Sequence, residues 1–371
     1  MKNSKSGVAL ILVLLSLALL TVLSIEIIVA SRVDIRIGRN ARDRIQANYL
    51  AQSAARFALL RLQLYRNVRT LADGQAGGIP GLNNQTLEGI WSFPLPNLPL
   101  AGMDVKDWPG EFSSSIQAEG SKIPINMLDG VTTRGSSEEM AKSIRSQLEG
   151  LINGMLEDEE FDALYRGLKS EDLINPLEDW IDADSDSKSG GDEGRYYERL
   201  NPPYQPRNDR MTTLTELHML ENWTDDLVRR ISPFLTVLNN SGKVNPNYIS
   251  LERLKIFEPK LTPEELGLIQ KKRMEAPFSS LDDLKNFIRT DPEIRNGKNF
   301  TFPEKLESYD KETVFYIKAS GIVGELRRDL RLGIRFTEQK DAKKPSETDE
   351  AYAKRPGKLL EPQVLTVEEM L

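Results

Sequence analysis

The chain has 371 residues, enough for one or two packed domains of roughly 100 to 200 residues each and a further segment. Its 49 lysines and arginines against 56 aspartates and glutamates give a formal net charge of -7, so no overall positive field is present to attract nucleic acid. The absence of cysteine and the single histidine, His218, exclude disulfide bonds, cysteine nucleophiles and multi-histidine zinc sites.

The N-terminal segment predicts a membrane-spanning helix. An uncharged run of 18 residues, 8–25, follows a short cationic stretch that carries Lys2 and Lys5. As a helix with a rise of 1.5 Å per residue, this run would measure about 27 Å, close to the hydrocarbon thickness of a bilayer. The run leads into more helix rather than into a small-residue cleavage site, so we expect it to persist in the mature protein. An ordinary signal anchor with a helical stalk explains these residues equally well.

Small and apolar residues continue at helical spacing beyond this run. They are Ala47, Ala51, Ala54, Ala55, Ala58, Leu59 and Leu62. No proline occurs before Pro80. The pattern predicts one long helix over 8–72, which is apolar on all sides at first and amphipathic later.

The start of the apolar run resembles a prepilin cleavage site. In the segment 5–14, Gly7 would precede the cut and Val8 would begin the mature chain, as in type IV pilins and pseudopilins. Those proteins normally have glutamate as the fifth mature residue, where its carboxylate neutralises the N-terminal ammonium of a neighbouring subunit in the membrane. Leu12 holds that position here. A subunit with no neighbour above it has no such ammonium to neutralise. The chain is therefore similar to the large minor pseudopilin K of type II secretion systems (the general secretion pathway protein K family), which lacks the glutamate and is placed at the pseudopilus tip.

Strand patterns on both sides of a long helical segment predict an interrupted sheet. Residues 73–111 are rich in glycine and proline and predict irregular connecting chain. Strands are predicted at 113–119, 314–320 and 330–337, the last from its alternating apolar and polar residues, and they are expected to share one sheet. Candidate helices lie at 137–155, 157–168, 212–220, 224–231, 250–257, 262–273 and 280–288.

The predicted fold is therefore α+β, a pilin-like long N-terminal helix with a small antiparallel sheet interrupted by a large inserted helical domain. Pseudopilin K has the same plan, and the segment 122–130 resembles its Ile-Asn-x-Leu-Asp motif. The tail is rich in charged residues, serine and proline, which predicts disorder, although 367–371 could dock on the head. The predicted segments are a leader (1–7), the N-terminal helix (8–72), the first pilin-like part (73–125), the inserted domain (126–300), the second pilin-like part (301–337) and the disordered tail (338–371).

An acidic segment at 178–193 predicts a calcium site. Calcium takes six to eight hard oxygens, and alternating aspartates with a distal glutamate supply them from one loop. Ser187 stands where an EF-hand has glycine, so the loop is only EF-like, and a solvated acidic loop without metal is the alternative. We predict primary ligands at Asp182, Asp184, Asp186 and Glu193, secondary ligands at Asp179 and Asp192, and a remote one at Glu216. The resemblance to pseudopilin K, whose corresponding region holds two calcium ions, implies one or two ions here.

Two further features of the sequence could carry a function. The segments 245–254 and 276–284 resemble a helix-hairpin-helix or SAM-like unit, but the hairpin 255–260 has no glycine through which backbone amides could reach a phosphate. A contact or scaffold role is favoured over DNA binding. His218 lies in a helical stretch, and the chain has no phosphate-binding loop and no nucleophile elbow, so we predict no enzyme activity.

The resemblance implies a protein-transport subunit. It would be cleaved by prepilin peptidase, methylated at Val8, and held by one span in the bacterial inner membrane with its C-terminal domain in the periplasm. Its partners would be the other minor pseudopilins, of the I and J types, with the secretin and exported substrates as further candidates and nucleic acid excluded. Two alternatives remain open: a signal-anchored periplasmic calcium-binding or sensor domain, and a competence-type DNA-uptake pilin.

Overall fold

A computed structural model describes residues 4–74, 84–93, 95–99, 110–129, 138–156, 164–239, 244–295, 312–339, 358–359 and 361–370. Residues 157–163 of the predicted helix over 157–168 lie outside these ranges. The helices are α1 (Ser4–Gly74), α2 (Asn84–Ser92), α3 (Glu138–Leu156), α4 (Glu171–Ile181), α5 (Gly194–Tyr197), α6 (Asp225–Ile231), α7 (Leu251–Phe257), α8 (Pro263–Glu275), α9 (Leu281–Thr290) and α10 (Pro292–Arg295). The strands are β1 (Leu95–Pro99), β2 (Glu111–Ala118), β3 (Ile123–Pro124), β4 (Leu235–Thr236), β5 (Val314–Val323), β6 (Leu326–Arg335), β7 (Glu338–Gln339), β8 (Lys358–Leu359) and β9 (Gln363–Met370).

Helix α1 is one continuous helix of 71 residues, which at 1.5 Å per residue is about 105 Å long. Among the described helices it is the one long and apolar enough to cross a membrane. Residues 10–42 of this helix are exposed on all sides, and its buried stripe begins at Ala47. The predicted change from all-round apolar to amphipathic therefore marks the point where the helix meets the rest of the fold.

The C-terminal half of α1 packs on a five-stranded sheet with the order β1-β2-β5-β6-β9. All neighbouring pairs are antiparallel, and the partners Ile116–Ile317 and Ile317–Leu332 set the register of the three central strands. Small residues on α1, Ala51 among them, let the helix approach the sheet closely. A Cβ atom at Gly321 would overlap the carbonyl oxygen of Ala47, so this close approach requires glycine.

The sheet is interrupted as predicted, because β2 and β5 are neighbours although about 195 residues separate them in sequence. The intervening chain forms two cores of its own. One joins α3, α4 and α6 with Ile123 and Leu235 of the small parallel pair β3–β4. The other joins α7, α8 and α9.

Helix boundaries in the inserted domain follow capping residues. Ser250 accepts a hydrogen bond from Arg253 N, and Ser280 accepts one from Asp283 N. Thr262 forms a capping box with Glu265. These caps explain why the predicted starts near 250, 262 and 280 are close to the observed ones.

Three sequence-based expectations need correction. The segment predicted as irregular, 73–111, contains α2 and the edge strand β1, because Leu87 and Trp91 give α2 a buried face and prolines are tolerated on a sheet edge. Helix α4 was not predicted, since it contains Pro176. The tail predicted as disordered provides β9, which pairs with β6 from Asp329–Met370 to Arg335–Gln363.

Candidate functional site

The acidic loop lies between α4 and α5, in the inserted domain. Helix α4 buries Leu177, Trp180 and Ile181, and this fixes the direction of Asp179 on the same helix. The loop that follows returns through Gly190 and Gly191, whose φ angles of 91° and 99° favour glycine. It therefore brings its distal end back to the end of α4.

Three carboxylates meet at this point: Asp179, Asp182 and Glu193. One oxygen from each lies within 4.8 Å of the others, and all three residues are buried. Asp179 accepts hydrogen bonds from Ser187 Oγ at 2.8 Å and from the backbone amide of Lys188 at 2.9 Å. Asp182 Oδ2 accepts one from Lys188 Nζ at 2.6 Å.

The remaining oxygens of the cluster lack partners. Asp182 Oδ1 and both carboxylate oxygens of Glu193 are buried and accept no hydrogen bond from the described residues. Leaving a carboxylate in this condition is costly unless a cation is bound. Burial, with the negative charges of Asp182 and Asp179, raises the pKa of Glu193 to about 7. The cluster is therefore suited to a divalent cation with oxygen ligands.

A fourth carboxylate, Glu221, faces the same cavity and was missed by sequence reasoning. The cavity measures about 280 Å³ and is lined by Asp179, Glu193, Tyr197 and Glu221 among others. Burial and the charge of Asp179 raise the pKa of the Glu221 carboxyl. Glu221 comes from a turn between Leu214–Met219 and α6, so no spacing within the acidic loop could have indicated it.

Of the four predicted primary ligands, the structure brings Asp182 and Glu193 together and adds Asp179 from the secondary pair. The aspartates that stay outside the cluster are exposed: Asp184, Asp186 and Asp192. Asp184 Oδ1 accepts a hydrogen bond from the Asp186 amide at 2.9 Å, and Asp192 Oδ1 accepts one from the Gly194 amide at 2.8 Å. A bridge between Asp186 and Asp192 pairs the two limbs of the loop, and Asp192 also lines the cavity next to the cluster.

Glu216 does not belong to the cluster, which corrects its prediction as a remote ligand. Its carboxylate accepts hydrogen bonds from Trp180 Nε1 at 3.1 Å and from the Thr212 amide at 2.8 Å, and pairs with Arg207 at 3.2 Å. These bonds hold the pKa of Glu216 below its usual value despite burial. Its role is to fix the 3-10 helix Leu214–Met219 against α4.

A second candidate surface is an exposed apolar stripe on α1, C-terminal to the segment that is long enough to span a membrane. Its large side chains lie on the side of the helix opposite the buried alanines and are 41% to 64% exposed: Ile45, Tyr49, Phe57, Leu60, Leu64 and Leu71. Their spacings of three, four, seven or eight residues keep them on one face. A contiguous exposed apolar surface of this kind indicates an interaction site.

The other two motifs carry no comparable chemistry. His218 is exposed and its Nδ1 lies 2.8 Å from Oδ1 of the exposed Asp225, an ion pair on the surface of the fold. In the helix-hairpin-helix unit, Arg273 is buried and donates to the carbonyl oxygen of Ile249 at 2.8 Å. Burial lowers the pKa of Arg273 to about 10. This arginine holds the unit together and is not presented to a phosphate.

Comparison with known proteins identifies similar chains. Residues 137–240 match the family model of "Type II secretion system (T2SS), protein K". The chain is 27% identical over 285 residues to type II secretion system protein K of Pseudomonas aeruginosa, covering 76% of this chain and 77% of that protein. It is 25% identical over 335 residues to the protein of the same name from Pectobacterium carotovorum, covering 88% and 90%.

A solved structure supports the fold. The chain resembles one chain of the crystal structure of the GspK-GspI-GspJ complex from the enterotoxigenic Escherichia coli type 2 secretion system, with a TM-score of 0.56 and 16% identity. The match covers 90% of this chain and 99% of that one. The predicted α+β plan, with its long N-terminal helix, small sheet and inserted helical region, is thereby confirmed.

Proposed function

We propose that this chain, which is similar to type II secretion system protein K in its matched residues, its relatives and its fold, is the minor pseudopilin at the tip of a short pseudopilus. In this role it is anchored in the inner membrane by α1, with its head in the periplasm. It initiates the assembly of the pseudopilus, which moves folded proteins through a channel in the outer membrane.

One observation carries the proposal: a single helix joins a membrane-length apolar segment directly to the sheet of the head. Subunits built in this way can leave the bilayer and bundle through their helices without any change of fold. The inserted domain supports the tip position, because its two cores make the head much broader than α1 and obstruct a subunit from stacking above. Leu12, which carries no charge to pair with a following subunit, supports it as well.

Processing of the N-terminus tests this proposal against a permanent signal anchor. In the native protein purified from membranes, we expect mass spectrometry to find Val8 as the first residue, with a methylated amine. The variant Gly7→Asp should keep its leader, because a charge at the cut excludes the small residue that the peptidase requires. Asn3→Asp, which adds the same charge four residues earlier, should be processed normally. A native chain that retains Met1 would contradict the proposal.

The exposed stripe on α1 is proposed as the contact surface for the I-type and J-type minor pseudopilins. The similar solved chain is part of a complex with two such partners, which supports this assignment. We expect the double variant Leu60→Glu/Leu64→Glu to lose co-purification with both partners by at least about tenfold, because two carboxylates would be desolvated in an apolar contact. The matched control Leu60→Met/Leu64→Met keeps the apolar surface and should assemble. Equal recovery of the two variants would remove the stripe from the interface.

We also propose that the cluster of Asp179, Asp182 and Glu193 holds calcium, with Glu221 as a further candidate ligand. The buried oxygens without partners support a hard divalent cation, and carboxylates are the ligands that calcium prefers. Bound calcium would supply positive charge to a loop that otherwise carries mutually repelling carboxylates. The residues of the cluster span α4 to α5, so the ion would fasten the loop to the inserted domain.

A further inference from the structure

The acidic cluster already contains a cation of its own chain, Lys188. Its ammonium lies 2.6 Å from Asp182 Oδ2, while its backbone amide donates to Asp179 Oδ1 at 2.9 Å. Two of the three converging carboxylates are therefore contacted by one residue. Because the amide does not depend on the side chain, the two contacts can be separated by mutation.

We propose that Lys188 is a built-in counter-ion that occupies the cluster in the metal-free protein and competes with the divalent cation for Asp182. The inference rests on the proposed calcium site and deepens it. On this proposal, the calcium affinity depends on Lys188 as well as on the ligands.

The charges around the cluster indicate that Lys188 competes with a metal ion and does not merely stabilise the loop. One ammonium faces three carboxylates, and Glu193 stays buried without a hydrogen-bond partner among the described residues. The neighbouring acid Glu178 is already paired with Arg145 of α3. Lys188 therefore relieves the repulsion only in part, and an additional cation is still favoured. A calcium ion that uses Asp182 must remove the ammonium from this carboxylate or share it at the cost of repulsion between cations.

The side chain is free to leave. The Lys188 side chain is 40% exposed. The ammonium can therefore move from Asp182 into solvent, at the cost of one partly exposed ion pair. The Lys188 amide and Ser187 Oγ would continue to orient Asp179, so the site keeps its shape when the ammonium moves out.

If Lys188 competes with calcium, removing its ammonium should have opposite effects on the stability of the metal-free protein and on calcium binding. Removing the ammonium should destabilise the metal-free protein, because Asp182 loses its counter-ion. The same change should strengthen calcium binding, because the ion no longer displaces anything. A lysine that only supports the loop would weaken both.

The test uses the full-length protein in detergent, stripped of divalent ions by a chelator. Calorimetric titration with calcium chloride should show Lys188→Met binding about tenfold more tightly than wild type, while its Tm without calcium falls. Lys188→Arg keeps the charge and should remain close to wild type. The control Lys142→Met removes an exposed ion pair with Glu138 on α3 and should leave calcium affinity unchanged.

The possible failures are distinguishable. If wild type binds calcium and Lys188→Met binds it equally or more weakly, the competition is refuted and the calcium site stands. If neither protein binds calcium, both the site and the inference are overturned. A Tm of metal-free Lys188→Met equal to that of wild type would also overturn the inference.

Discussion

Replacing Glu193 with glutamine is expected to weaken calcium binding by about a hundredfold, the upper range for loss of a group that serves a metal site. Glutamine keeps the shape of the side chain and removes the charge of a carboxylate whose two oxygens are buried without partners. In the metal-free protein the same change should raise the Tm, because it removes repulsion with Asp182 and Asp179. Calorimetric titration and thermal melting with and without a chelator measure both effects.

The pH dependence of wild type provides a check on this prediction. The pKa of Glu193 in the folded protein is raised to about 7 from an ordinary value of 4.5, so the metal-free fold loses stability as pH rises through this window. Calcium must displace the proton from Glu193 below pH 7. The gain in Tm on adding calcium should therefore be larger at pH 8 than at pH 6 in wild type, and nearly absent at both in Glu193→Gln.

A matched variant at Asp184 distinguishes the ligands indicated by the structure from those indicated by the sequence spacing. Asp184 is a predicted ligand by spacing, but it is exposed and its carboxylate accepts a hydrogen bond within the loop. Asp184→Asn should bind calcium within about twofold of wild type, since the charge that is lost is exposed and acts on Glu193 through solvent-screened space rather than as a ligand. If Asp184→Asn loses as much calcium affinity as Glu193→Gln, the alternating aspartates form the site instead.

The outcome at this loop illustrates what spacing can and cannot determine. The acidic segment marked the loop in which three carboxylates, Asp179, Asp182 and Glu193, lie close together. The spacing could not indicate which side chains converge, because this depends on the turn at Gly190 and Gly191 and on the bridge between Asp186 and Asp192. Glu221 reaches the cavity only because the chain returns to α4 from a separate turn.

The fold was predictable where local signals agree with the tertiary contacts. The unbroken apolar and alanine pattern predicted α1, and the predicted starts of α7, α8 and α9 lie at residues that cap these helices in the structure. Strand β6 was evident from its alternation. By contrast, α2 is a short amphipathic helix in glycine- and proline-rich chain, and β9 is a short edge strand in charge-rich chain. Helix α2 packs on α1, and β9 pairs with β6. The average composition of the longer region around each of these segments does not reveal them.

The contact between α1 and the sheet should be the most sensitive point of the fold. A methyl group at position 321 would overlap the Ala47 carbonyl oxygen and lie 2.6 Å from the amide nitrogen of Ala51 and 2.7 Å from Leu50 Cβ. Two of these atoms are helix backbone, which cannot move without tilting α1 away from β5. We expect Gly321→Ala to reduce the free energy of unfolding by about 3 kcal/mol, the upper range for overpacking.

Urea denaturation of the detergent-solubilised protein measures this effect, and Gly267→Ala is the control. Gly267 lies exposed within α8, and a Cβ there would meet nothing within 4 Å. Alanine should therefore stabilise α8 by about 0.5 to 1 kcal/mol. Equal free energies of unfolding for Gly321→Ala and wild type would mean that α1 is not seated on β5. Because this contact sets the angle between the head and the membrane segment, Gly321→Ala should also impair co-purification with the partner pseudopilins while leaving the exposed stripe on α1 unchanged.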